Sequence, residues 1–216
     1  MDDYSALQVR VWGEYACFTR PEMKVERVTY PVPTASAARG ILESIFWKPE
    51  FTWDIREIWV LRPIRYASIV RNEVKSKAAL STVRRWAKEG GGYEAANDRT
   101  QRHSLVLRDV AYLIHAQVRV HPDCDAHPAK FRDQFRRRVD RGQCYLRPYL
   151  GCREFSADFG PPQGDEQPIA ESMDLGRMLL DIDYDAEGDG RGVPRFFQAQ
   201  MVSGIIRYPS LIDQEA

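Results

Sequence analysis

Residues 31–49 read PVPTASAARGILESIFWKP, and the segment Pro33 to Pro49 within it organises the rest of the chain. A proline at each end, with Thr34 or Ser36 as N-cap, predicts a helix of about three turns. Ala37, Ile41, Leu42 and Ile45 fall at i, i+4, i+5 and i+8, an apolar stripe suited to lie on a sheet. Gly40 costs about 1 kcal/mol inside a helix, so a close backbone approach is expected there. The helix ends in Phe46-Trp47-Lys48, two large rings and a cation. That ending suits either a hydrophobic staple against the next strand or a polyanion site, and the choice falls to the rest of the chain.

Outward from this helix the pattern alternates between periods of two and four. Leu7, Val9 and Val11 alternate with polar neighbours, as in a half-buried strand, and Trp53 to Leu61 does the same. Pro63 interrupts, and Ile64 to Val70 reads as a bent or edge strand. Residues 71–102, with many charges, Gly90-Gly91-Gly92 and Asn97-Asp98, read as a long mobile insertion. His103 to His121 is strand-like. Pro128 opens a second helix, Lys130 to Arg141, which Gly142 closes. A further strand is expected around Tyr149 to Phe155. The order strand, helix, strand, strand, helix, strand is the βαββαβ plan of ferredoxin-like, RNA-recognition-like folds. The expected architecture is therefore α+β, with a ferredoxin-like domain over residues 1–160. Pro161-Pro162-Gln163-Gly164 marks a boundary, and residues 161–216 read as a smaller antiparallel β domain. Its strands are Met178 to Tyr184 and Phe196 to Tyr208, around the acidic turn Asp185 to Gly192.

A chain of 216 residues can bury a core as one large or two small domains. Its 31 basic and 31 acidic residues cancel, but unevenly. Residues 1–153 hold 27 Lys and Arg against 18 Asp and Glu, a net of +9, while residues 154–216 hold 4 against 13, a net of −9. A basic body with an acidic tail points to a polyanionic partner for the first part. Cys17, Cys124, Cys144 and Cys152 form no CxxC pair and have no histidine at zinc-finger spacing. With the acidic start Met1-Asp2-Asp3 in place of a signal peptide, they read as reduced thiols of a cytoplasmic protein. No apolar run approaches the roughly 18 residues of a membrane span.

The second helix carries the strongest chemical signal. Phe131, Phe135 and Val139 share one face, and Lys130, Arg132, Arg136, Arg137, Arg138 and Arg141 crowd the rest. Asp133 and Asp140 cannot neutralise six cations, so this face is either solvated or binds a phosphate backbone by counterion release. Trp47, Tyr145 and Tyr149 can stack on bases at roughly 1–3 kcal/mol each, although each ring equally suits a core. Asp181, Asp183 and Asp185 would share one face of a strand and suit Mg²⁺, but edge protection is the expected role. The expectation is no metal and no cofactor. The four histidines are dispersed, and His115 is expected to face solvent.

GEYACFTRPEMKVERVTYPVPTASAARGILESIFWKP (residues 13–49), TQRHSLVLRDVAY (100–112) and RPYLGCREF (147–155) resemble, in order, the CRISPR-associated repeat-processing endoribonucleases of subtype I-C. These are the d-type branch of the Cas-five family in the RAMP superfamily, and the similarity runs over roughly residues 7–160. The resemblance implies an RNA-recognition-like domain followed by a smaller β-rich one. It implies binding of the repeat hairpin of precursor CRISPR RNA and cleavage at its base, followed by retention on the 5′ handle inside Cascade with its backbone and large subunits. The implied chemistry is metal-independent: the 2′-OH attacks the adjacent phosphate, which requires a base, a proton donor and a cation. In the family a Tyr near the end of the first helix and a Lys-His pair opening the second fill these roles. Here they align with Phe46 and with Lys130-Phe131, so the lysine alone carries over. Lys130 as cation and His103 as proton-transfer group are the catalytic candidates. Trp47, Lys48, Arg102, Arg132, Arg136, Arg137, Arg138 and Arg141 are the RNA-binding candidates. A non-catalytic subunit binding RNA or duplex DNA in the same complex is the alternative.

Overall fold

The computed structural model describes residues 6–23, 25–184 and 192–210. Helix α1 spans Ala35–Ile45, and Thr34 is its N-cap, accepting from the Ala37 amide at 3.2 Å. Ala35, Ala38, Ile41, Leu42 and Ile45 form its buried face, so Ala38 takes the place at the centre of the stripe that the spacing gives to Ala37. The helix stops because Phe46 turns to extended backbone (φ −154°) ahead of Trp47 and Pro49.

The strands are β1 (Leu7–Ala16), β2 (Phe51–Val60), β3 (Tyr66–Val74), β4 (Arg99–Val120), β5 (Asp158–Gly160), β6 (Met173–Tyr184), β7 (Gly192–Val202) and β8 (Ile205–Arg207). Helices α2 (Leu80–Glu89) and α3 (Pro128–Asp140) complete the fold. Among the described residues the strands make one eight-stranded sheet, ordered β5-β1-β4-β2-β8-β7-β6, with β3 alongside the first half of β4. The pairings of these strands are antiparallel. It is an α+β fold built on an antiparallel sheet.

Strand β4 holds the molecule together. Its second half lies between β1 and β2, in registers such as Val9↔Ile114 and Ile58↔Ile114, and is buried on both faces from Val110 to Ala116. Its first half alternates exposed and covered residues and pairs with β3, as a two-stranded arm up to Ser104, beyond which Leu105 bonds the Arg27–Thr29 segment and Leu107 reaches the end of β1. Helices α1 and α3 lie together on one face of the sheet, α1 over β2 and β6 and α3 over β1, β4 and β5.

Four sequence expectations change in the folded chain. Residues 71–102 are not one long loop: they contain the end of β3, helix α2 and the start of β4. Their charges are those of an exposed arm, and α2 has no buried residue. Tyr149 to Phe155 is a turn and not a strand. The Leu150 amide bonds the Phe155 carbonyl at 2.8 Å, and the Cys17 amide bonds the Leu150 carbonyl at 3.0 Å. Gly151 sits there at φ +83°, and a Cβ on it would lie 2.1 Å from the Cys17 carbonyl oxygen. The edge strand is instead the short β5. Phe196 to Tyr208 is not continuous, because Ser203-Gly204 (φ +48° and +74°) turns β7 back into β8. His115 does not face solvent. It is 6% exposed, its ring lies 4.9 Å from that of Trp59, and burial lowers its pKa against the opposing pull of Glu57.

The acidic strand is also rearranged. A register shift between Leu179 and Asp181 turns Asp181 inward, where Arg39 of α1 grips it, while Asp183 pairs with Arg195 at 2.7 Å. Asp181, buried, and Asp183, half exposed, thus each face an arginine; Asp185 lies outside the described residues. The four cysteines are free thiols. Two of them, Cys17 and Cys152, are buried together beneath Arg27, whose Nη1 donates to the Cys152 Sγ at 3.2 Å.

Candidate nucleic-acid interface

The first turn of α3 is built by His127 and Pro128. The His127 Nδ1 accepts the Ala129 amide at 3.2 Å, and Pro128 supplies the preset φ of a first helical residue. Phe131, Phe135 and Val139 then point into the core as their spacing requires. The Phe51 ring sits between those of Phe46 (5.6 Å) and Phe131 (5.0 Å), and Trp53 packs on Phe51 and Phe135 at 5.2 and 4.7 Å. The Trp53 Nε1 donates to the Phe46 carbonyl at 3.0 Å. Phe46 and Phe131, the two positions for which the resemblance implied a Tyr and a His, are each 1% exposed. They are core residues with no path to a substrate.

Lys130 lies outside that stack, exposed, its Nζ 5.6 Å from the Phe131 ring centre. Because Phe51 pairs with Val120, the turn after β4 arrives at the same end of the molecule. There the Nε2 of His121 lies 2.9 Å from Thr52 Oγ1. Trp47 and Lys48, both exposed, leave α1 at this end as well. Lys130, His121, His127, Trp47 and Lys48 therefore share one end of the helical face.

His103 and Arg102 do not join them. Both lie on the arm, His103 opposite Val70 and Arg102 opposite Arg71. Val120 is seventeen positions beyond His103, which at about 3.3 Å per residue is on the order of 50 Å of strand. His103 lies on the arm, and Lys130 on α3 at the other end of β4. Arg102 already faces Glu73, its Nε 3.4 Å from the carboxylate. The signal that separates them is the length of the alternating run from His103 to His121, too long for both its ends to meet one site.

The basic face of α3 divides as well. The Arg138 guanidinium lies 5.3 Å from the centre of the Phe46 ring and donates to the Ile45 carbonyl at 2.9 Å, so it clamps α3 to α1. Arg136 is 3.6 Å from Asp133, and Arg132 is half-buried. Arg137 and Arg141 are exposed. Sequence reasoning missed Arg147 and Arg153, which RPYLGCREF carries in plain view. The Tyr145 and Leu146 amides both bond the Ser44 carbonyl, at 2.9 and 3.1 Å, and bring this loop against the last turn of α1. Among the described residues no cluster of His, Cys, Asp and Glu is placed to hold a metal, and no helix is long and apolar enough to cross a membrane.

Comparison with known proteins adds to this geometry. A family model described as "CRISPR-associated protein (Cas_Cas5)" matches residues 6–209. The chain is 44% identical to "CRISPR pre-crRNA endoribonuclease Cas5d" of Thermus thermophilus, over 97% of this chain and 93% of the relative. It is 42% identical to the protein of the same name in Mannheimia succiniciproducens, over 97% of each. Among solved structures, one titled "Crystal Structure of CRISPR-associated Protein" superposes with a TM-score of 0.67 at 24% identity, covering 94% of this chain and 91% of the other. A functionally uncharacterized protein from Streptococcus mutans superposes with a TM-score of 0.66 at 22% identity, covering 94% and 92%. These two likenesses concern the fold.

Proposed function

Because this chain belongs to the CRISPR-associated Cas5 family, we propose that it is an endoribonuclease that processes precursor CRISPR RNA. The observation that carries this is identity of 42–44%, over 97% of its length, to two proteins named for that activity. We read it as the d-type protein of a subtype I-C system, acting in the cytoplasm where its transcript is made. We read β1-α1-β2-β4-α3-β5, with sheet order β5-β1-β4-β2, as the ferredoxin-like plan of residues 1–160, into which β3 and α2 are inserted as a mobile arm. Residues 161–216 are its smaller β unit, attached where β8 pairs with β2.

The reaction fits the end of the molecule where Lys130 opens α3 and His121 follows β4. With the His121 Nε2–H donated to Thr52, Nδ1 is left as an acceptor. It takes the proton of the attacking 2′-OH while the 2′-oxygen bonds phosphorus. Lys130 offsets the charge that builds on the non-bridging oxygens. The P–O5′ bond breaks, water protonates the 5′-oxygen, and a cyclic phosphate remains, with no metal required. Arg137, Arg141 and Lys48 hold the flanking phosphates. Retention on the 5′ handle then places the protein in Cascade with its backbone and large subunits. The exposed Val70, Val74, Leu80 and Val83 of the arm support a protein neighbour there.

One observation favours a second reading, a binding subunit without nuclease activity: the positions for which the resemblance implied a Tyr and a His are buried phenylalanines. Incubating the purified protein with its own host's repeat RNA in EDTA, and sequencing the ends, separates the two. A single cut at the base of the hairpin with a cyclic-phosphate end supports the nuclease. Intact RNA that stays bound supports the alternative.

A further inference from the structure

Gly40 is the exposed residue in the middle of α1, and a Cβ placed on it meets nothing within 4 Å. The close backbone approach expected from the sequence is therefore not the reason for a glycine in this helix. The space above it is a cleft of about 630 Å³. Trp47 (56% exposed), Tyr145 (80%) and Tyr149 (39%) stand around it. Rings of this size left in water, within one cleft, are a stacking surface waiting for a flat partner.

Charge orients that partner. Arg147 and Arg153 border the same cleft. Arg147 already meets Asp158, while Arg153 pairs with no carboxylate among the described residues. On the helix side the cleft is walled by Glu43, whose carboxyl faces Arg39 at 3.8 Å. A phosphate is repelled by Glu43 and drawn to Arg153, whereas an uncharged base is free to lie over Gly40 between the rings.

We propose that this cleft is a binding site for one unpaired nucleobase of the RNA, stacked on Trp47 and Tyr145 over Gly40 with its phosphate at Arg153. The proposal rests on the reading of the chain as an RNA-processing protein. It adds a site for a single-stranded nucleotide that adjoins the Lys130 end through Trp47 and lies apart from the basic face of α3. The amides of Tyr145 and Leu146, tied to the Ser44 carbonyl, fix the tyrosine wall to the helix floor before any ligand arrives.

The test uses the full chain and a fluorescein-labelled ten-nucleotide single-stranded RNA, with fluorescence anisotropy as readout. Tyr145→Ala removes one stacking wall, and Gly40→Leu fills the floor without strain because its φ is helical. Each is expected to weaken binding about five- to a hundredfold, the scale of one lost base stack. The slope of log K against log salt should stay fixed for both, whereas Arg153→Ala should reduce it by about 0.7. Gly40→Leu should melt no lower than the parent, since leucine is the better helix former. Parental affinity in both the Tyr145→Ala and Gly40→Leu proteins overturns the site. So does a parent protein that cuts repeat RNA yet shows no affinity for the unpaired decamer. Failure of the parent to bind or cut repeat RNA, with the decamer still bound through Tyr145, overturns the processing reading and leaves the cleft standing.

Discussion

Arg39 on α1 and Asp181 on β6 are joined by two parallel hydrogen bonds, Nη1 to Oδ2 at 2.5 Å and Nη2 to Oδ1 at 2.7 Å. This fork ties the helix that ends at the candidate site to the acidic part of the chain. Burial disfavours the Arg39 cation, but hydrogen bonding and attraction to Asp181 outweigh it and raise its pKa. Asp181→Ala leaves that guanidinium with only the more distant Glu43 at 3.8 Å and should lower unfolding free energy by about 3 kcal/mol, the low end for a broken buried pair because Arg39 keeps that contact and some solvent. Asp183→Ala, at a half-exposed pair, should cost less than 1 kcal/mol. Urea unfolding of the two variants measures the difference. Equal effects would mean that the fork adds nothing beyond a surface ion pair.

Catalysis should depend on Lys130 and not on His103. Lys130→Ala should reduce the single-turnover cleavage rate by roughly 10²-fold, the scale of one lost transition-state contact, with little change in RNA affinity. His121→Ala should slow cleavage by roughly 10²-fold or more, the scale of a lost general base. His103→Ala, on the arm, should cut at the parental rate. A large loss in the His103 variant would place the reaction on the arm.

Placing a Tyr at Phe46 and a His at Phe131 should not raise activity. Phe46→Tyr buries a hydroxyl beside Phe51, and Phe131→His buries an imidazole against the same ring. Each should cost about 1–3 kcal/mol for a desolvated polar group. Thermal melts and cleavage assays of the double variant should show lower stability and no faster cutting. A rate gain would mean that these rings swing out to the substrate.

The cations of α3 should separate by role. Replacing Arg137 and Arg141 by Ala removes two exposed contacts and should shrink the salt slope of RNA binding by up to about 2. Arg138→Ala should mainly lower the melting temperature, because its guanidinium binds the Ile45 carbonyl and covers the Phe46 ring. The reverse pattern would put Arg138 on the RNA.

Stability should climb with pH through the neutral range because of one thiol pair. The neighbouring Cys17, assisted by Arg27, holds the Cys152 pKa down to about 6, and burial opposes this. A depressed folded-state pKa adds stability above the unfolded value of about 8.5, and that stability fades as pH falls through 6. Between pH 6 and 8.5 the unfolded chain binds the extra proton, so unfolding free energy should rise with pH. Cys152→Ser should flatten that rise, as read by urea unfolding at several pH values. An unchanged slope would mean that Cys152 stays protonated in the folded protein.

The sequence by itself determined the elements whose reasons are local. Prolines and Thr34 bound α1, Pro128 and Gly142 bound α3, and period-four apolar spacing chose their buried faces. Alternation found β1, β2 and the long β4, and motif order placed the chain in its family. What it could not decide was where charged and aromatic residues point once distant segments meet. Phe46 and Phe131 are core because Phe51, from another strand, stands between them. Asp181 turns inward at a bulge to meet Arg39, 142 residues away. His103 goes to the arm because its stretch of β4 pairs with β3, whereas Lys130 lies on α3 beyond the other end of that strand. Trp47, Tyr145 and Tyr149, scattered in the chain, surround one cleft because the Ser44 carbonyl holds two amides of a loop a hundred residues on. Helix and strand periods are properties of neighbouring residues and are written in the sequence; a site is a meeting of remote side chains, which packing and hydrogen bonding settle only in three dimensions.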